Sequence, residues 1–88
     1  MITIEKGKVA EWMLFSYLAE QNYYKEKILL FEEKYQSDFE NFEKDLNNLD
    51  HENFNKWDDY ISWKAFRNLN FSIDKMIKDV RLGNFKVA

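Results

Sequence analysis

KVAEWMLFSYLAEQNYYKEKILLFEEKY, residues 8–35, decides the fold. Leu14, Leu18, Tyr24, Ile28, Phe31 and Tyr35 recur at steps compatible with 3.6 residues per turn, so the stretch predicts one long amphipathic helix. Its first half is also apolar on a second face, where Trp12, Phe15 and Ala19 lie three and four residues apart, away from the Leu14–Leu18 row. A helix that is apolar nearly all round must be covered on more than one side. The chain has 88 residues, and a domain of this size hides only about 60% of the surface its unfolded form exposes. Part of the cover is therefore expected from another chain.

Downstream, Ser37 followed three residues later by Glu40 reads as a capping box that opens a second helix over 38–48. Phe39, Phe42 and Leu46 give it an apolar side, while Asp38, Glu40 and Glu43 suit the positive end of its dipole. The segment 47–53 is rich in Asn and Asp, which favour turns by competing for backbone hydrogen bonds. A third helix is predicted over 54–82, with Trp57, Ile61, Ala65, Leu69, Ile73, Met76 and Val80 as its apolar row. Gly83 suits the position just past its end, and Lys78 and Arg81 suit its negative pole. Asn68 and Asn70 are mediocre helix formers and invite a local irregularity. The short ends, residues 2–4 and 85–87, alternate apolar and polar residues as strands do, though three residues carry little weight.

The expected fold class is all-α: two long antiparallel helices of about 42 Å with a short helix between them. Such a hairpin leaves second faces wet, so a dimeric or heteromeric bundle is expected. Composition agrees, with 45% hydrophobic and 18% aromatic residues, no Pro and two Gly. That is too much apolar bulk for a disordered tail and too few turn residues for a sheet-rich fold.

Counting residues excludes most chemistry. No cysteine and one histidine leave no thiol nucleophile, disulfide framework, Cys-ligated zinc or paired Glu-x-x-His motif, so no metal or cofactor is expected. Gly7 and Gly83 stand at opposite ends and form no phosphate loop. Asp58 and Asp59, like Glu32 and Glu33, are neighbours that point about 100° apart on a helix and cannot bracket one bond. His51 sits in the polar turn with no identifiable nucleophile or pocket. No catalytic residue is assigned, and the chain is not expected to be an enzyme.

A formal charge of −3 disfavours non-specific attraction to phosphate backbones. Residues 1–36, 37–56 and 57–88 carry −1, −4 and +2, which makes the middle either a solvated surface or a docking face for a basic partner. No stretch of about 20 uncharged residues could span a membrane, and a cytoplasmic location is expected. The feature above background is aromatic: Phe54, Trp57, Tyr60, Trp63 and Phe66 recur every three residues. A step of three drifts by about 60° on a helix, so these rings cannot all face one core. Trp and Tyr are enriched at binding hot spots. Either a foreign partner or a homodimer seam would satisfy them, and stacking on RNA bases is a third reading weakened by Asp58 and Asp59 beside the rings.

Three stretches add a resemblance. FENFEK at 39–44, WDDYISWKA at 57–65 and GNF at 83–85 are similar to small acidic proteins of prokaryotic toxin–antitoxin pairs, including partners of TumE-type toxins. The likeness lies mainly in the carboxyl-terminal 50 residues. It implies an antitoxin that neutralises its cognate toxin, often a nuclease or nucleotidyltransferase-like protein, by covering the toxin's active face. No basic ribbon or helix-turn-helix is recognisable, which puts operator binding in doubt. On this reading Trp57, Tyr60, Trp63 and Phe66 anchor the partner, Trp12 and Phe15 extend the anchor, and Asp38, Glu40, Glu43 and Asp45 steer a basic protein. Trp63→Ala with Phe66→Ala is then expected to weaken partner binding. The alternatives are a homo-oligomeric structural or adaptor protein and a nucleic-acid-binding accessory.

Overall fold

The computed structural model describes residues 5–47 and 54–85. Three helices follow in order: α1 (Lys6–Tyr35), α2 (Phe39–Asn47) and α3 (Phe54–Arg81). Each lies within two residues of its expected bounds, and no described residue is in a strand. The expected turn beyond Asn47, His51 and the tails 2–4 and 86–88 lie outside the described residues. Phe85, described, is not in a strand.

The two long helices run antiparallel. Phe31 and Tyr35, late in α1, stack on Trp63 in the first half of α3 at ring separations of 5.7 and 6.3 Å. At the other pole Lys6 donates from Nζ to the Gly83 carbonyl at 2.9 Å and lies 4.9 Å above the Phe85 ring. Midway, Gln21 is α1's buried side chain, and it donates weakly from Nε2 to Asp74 Oδ1 at 3.4 Å.

Why the helices stop is visible in their ends. α3 closes on Gly83 at φ 76°, where Gly83 N–H donates to Val80 O and Asn84 N–H to Asp79 O. This Schellman arrangement is the one the sequence led us to expect. α1 ends through Gln36, a non-glycine residue at φ 49°, whose Nε2 donates back to Glu33 O at 2.8 Å. α2 opens on Asp38, whose Oδ1 accepts from Asn41 N–H at 2.9 Å. The expected Ser37–Glu40 box does not form: Ser37 Oγ donates to Asp38 O, and Glu40 pairs with Arg67. Asp38 wins because its carboxylate caps from the position next to the helix, one residue later than the sequence pattern indicated.

The aromatic core sits at the α2 end. Trp63 is 0% exposed and is enclosed by Phe31 and Tyr35 from α1 and by Phe39 and Phe42 from α2, with rings 5.2–6.3 Å away. Ile28 and Tyr60 pack against this cluster, and Leu46 is buried too. Further along α3, Ile73, Ile77 and Val80 are buried.

The inward face of α3 differs from the expected row. Ile73 and Val80 are buried, whereas Ile61, Ala65, Leu69 and Met76 are exposed. A run stepping by four drifts by about 40° per step, so Trp57 and Ile73 end about 160° apart and cannot share a face. The inward stripe mixes threes and fours through Trp63, Ile73, Ile77 and Val80. No break occurs at Asn68 or Asn70, since α3 is continuous from Phe54 to Arg81. In α1 the expected row lies inward except Leu18, which is exposed.

Candidate protein-docking surface

The short helix α2 crosses the end of the hairpin and sets carboxylates beside aromatic rings. Phe39 stacks on Tyr60 at 5.6 Å, which brings Glu43 Oε2 to within 2.6 Å of the Tyr60 hydroxyl that donates to it. Arg67 lies 4.3 Å over the Phe39 ring while its Nη2 pairs with Glu40 Oε1 at 2.7 Å. Trp57 meets Tyr60 edge-on at 6.0 Å, and Lys64 Nζ lies 5.7 Å from the Tyr60 ring centre. On the α1 side of this end, Asp59 Oδ2 accepts from Lys34 Nζ at 2.6 Å and from the Tyr35 hydroxyl.

These contacts shift protonation. The hydrogen bond to the Glu43 carboxylate, helped by desolvation, raises the Tyr60 pKa, because an anionic acceptor resists a phenolate. Desolvation followed by the bond to Asp59 raises that of Tyr35. Burial pushes Asp59 upward, but the hydrogen bonds from Lys34 and Tyr35 outweigh it, and the carboxyl ends below its ordinary value. The bond to Asp59 holds Lys34 above its own.

The expected anchor residues do not form one patch. Trp63 lies in the core and cannot touch a partner while the chain is folded. Phe66 is half-buried between the helices, with Tyr23 at 6.0 Å and Tyr24 at 6.3 Å. Tyr60 and Trp57 are half-buried at the α2 end. Trp12 and Phe15, at 59% and 81% exposure, occupy the opposite side of α1. Counted from Phe31, Trp12 lies about 28 Å and Phe15 about 24 Å along the axis from the Trp63 level. Among the acids, Asp38 caps α2, Glu40 and Glu43 have internal partners, and Asp45 is exposed.

What the sequence reading missed is the outer side of α3. Ile61 is 63% exposed and follows Trp57 by one turn, with Ala65 and Leu69 continuing the strip. These residues belong to the periodic row expected inside, and the drift of that row turns Ile61, Ala65 and Leu69 to the surface.

Among the described residues no group of three or more His, Cys, Asp or Glu could hold a metal ion, and no helix is long and apolar enough to cross a membrane. A shallow recess of about 150 Å³ lined by Met13, Tyr17, Met76, Asp79, Val80, Asn84 and Phe85 is smaller than the roughly 300 Å³ at which small-molecule sites begin. No family model, curated protein or solved structure matches the chain.

Proposed function

We propose that the chain is a non-catalytic protein-binding module, an antitoxin-like inhibitor that covers a basic partner with its α2 end. The supporting observation is the exposed Ile61, one turn beyond the half-buried Trp57, with Asp58 beside it and Glu43 across Tyr60. An apolar anchor with the carboxylates of Asp58 and Glu43 on its rim, and the single ammonium of Lys64 beside Tyr60, suits a partner that brings an apolar side chain flanked by Lys or Arg, since complementary charge steers the encounter and exclusion of water secures it. Trp63 supports the surface from below by fixing where α2 lies, and Glu40 and Glu43 hold α2 against α3 through Arg67 and Tyr60.

The test is co-expression with the protein encoded next to this gene. The expected result is a complex that relieves the partner's growth inhibition. Trp57→Ala with Ile61→Asp should weaken it by about 30-fold or more, as loss of a hot spot worth about 2 kcal/mol requires. A neighbouring protein that neither binds nor inhibits growth, or a complex indifferent to both substitutions in a folded chain, would overturn the reading.

A further inference from the structure

The α2 end does not use the outer side of α1. At 100° per residue, Trp12, Ala19, Tyr23 and Leu30 fall within about 40° of one another, with Phe15 about 60° to one side. All five are exposed; Trp12, Phe15, Ala19 and Leu30 face away from Leu14, Gln21, Ile28 and Tyr35, which point at α3, while Tyr23 keeps half its surface exposed and sets one ring edge against Phe66 of α3. The row extends about 27 Å along the helix. Lys8 and Glu33 flank it at the two ends, and Glu26 enters it on one rim between Tyr23 and Leu30.

We propose that this stripe is the seam of an antiparallel homodimer, with Ala19 at its two-fold axis. Two observations favour a second copy over another occupant. The first is the charge order along the stripe. With Ala19 at the centre, Phe15 comes level with Tyr23 of the second copy, and Lys8 comes level with that copy's Leu30. Lys8 then lies between Glu26 and Glu33 of the second copy, about 6 and 4.5 Å away along the axis, within the reach of a lysine side chain. Both acids lie on the same rim as Lys8, within about 20° of it around the helix. Glu5 level with Glu33 is the like-charge meeting, at the tip of the seam. A parallel pair would instead set Lys8 on Lys8 and each glutamate on itself. Ala19, small and midway between two rings, lets the backbones approach where they cross.

The second observation is area. The chain exposes 6972 Å², against about 5,500 Å² for a compact monomer of 10.8 kDa. Its radius of gyration is 18.0 Å, against about 12 Å for a compact chain of this length. The surplus is about 1,400 Å² per chain, and a standard interface removes about 800 Å² from each partner. One seam fits inside that surplus.

Sedimentation equilibrium of the full chain from about 1 to about 100 µM tests the seam, because dimers gain with concentration. The expected species has twice the 10.8 kDa chain mass. Ala19→Arg and Phe15→Glu, both at exposed positions, should yield monomers whose helix content by circular dichroism is unchanged. Lys8→Glu should raise the dissociation constant about tenfold, and so should Glu26→Lys with Glu33→Lys. Combining all three should restore it to within about threefold, since opposed charges couple. A wild-type chain that stays monomeric to about 100 µM overturns the seam. So does undiminished association in Ala19→Arg or Phe15→Glu, and a triple variant no tighter than its parents overturns the antiparallel arrangement. Because the α2 end lies elsewhere, loss of the dimer leaves the partner-binding test readable.

Discussion

Replacing Trp63 by alanine separates a core residue from a binding residue. The indole is 0% exposed and touches Phe31, Tyr35, Phe39 and Phe42 from two other helices. Truncating such a side chain costs about 3–5 kcal/mol through lost transfer energy and the cavity left behind. At about 0.05–0.15 kcal/mol per residue the whole chain has about 4–13 kcal/mol to lose, so the substitution removes a quarter of its stability at the least. Trp63→Phe is expected to be milder. It keeps a ring against Phe31 and removes an indole Nε1 that is buried without a hydrogen-bond partner, a defect worth about 1–3 kcal/mol. The smaller ring offsets part of that gain, leaving a net cost below about 1.5 kcal/mol. Urea denaturation followed by far-ultraviolet circular dichroism measures both. An alanine variant within about 1 kcal/mol of wild type, or a phenylalanine variant as damaged as the alanine one, would refute the enclosure of Trp63 as the source of the core's stability.

Two further outcomes follow from the helix ends and the ion pair. Asp38→Ala should cost about 1 kcal/mol and Ser37→Ala less than about 0.5 kcal/mol by urea melts, because Asp38 holds the α2 amide; the reverse ranking would restore the Ser37 box. Asp59→Asn should cost about 1 kcal/mol at neutral pH by leaving Lys34 and Tyr35 without their anionic acceptor. Since the folded-state pKa of Asp59 is lowered, its contribution is present above about pH 4 and fades as pH falls through the folded value. The gap between wild type and Asp59→Asn in urea midpoint should therefore narrow in acid, and a gap constant down to about pH 2 would contradict the assignment.

Helix number, helix bounds and the stop at Gly83 were legible because they depend on neighbours in sequence: a glycine past the last turn, and an Asn-rich interval between two apolar periods. The inward side of α3 was not, because a row of fours looks continuous in a sequence while it turns away in space. Its true stripe also depends on α2, which crosses at Tyr60 and Trp63 and gives that end a second direction of burial. The same crossing moved Trp63 from expected anchor to core. Glu40 and Glu43 read in the sequence as acids free to steer a basic partner, whereas in the structure they pair with Arg67 and Tyr60, 27 and 17 residues away, and no local pattern announces those contacts. In α1 both faces are apolar, and periodicity cannot say which one meets α3. Gln36 at positive φ had no glycine or asparagine to mark it.

The two poles of the hairpin are held very differently, and this bears on how the molecule opens. One pole has an indole packed among four rings; the other has the aliphatic Ile77 and Val80 buried on α3 and, at its tip, the exposed ammonium of Lys6 reaching a carbonyl and a ring. Backbone amides around Ile28 to Tyr35 and around Trp63 should exchange with solvent only when the whole chain unfolds, whereas the first turns of α1 open locally at small cost. Trp12 and Phe15 follow those first turns, on the side of α1 away from the buried Val80. A second copy docking along Trp12 to Leu30 would slow exchange at both ends as protein concentration rises, at the aromatic pole by raising the cost of global unfolding and in the first turns of α1 by closing the local opening as well, so association and local order would rise together along one helix.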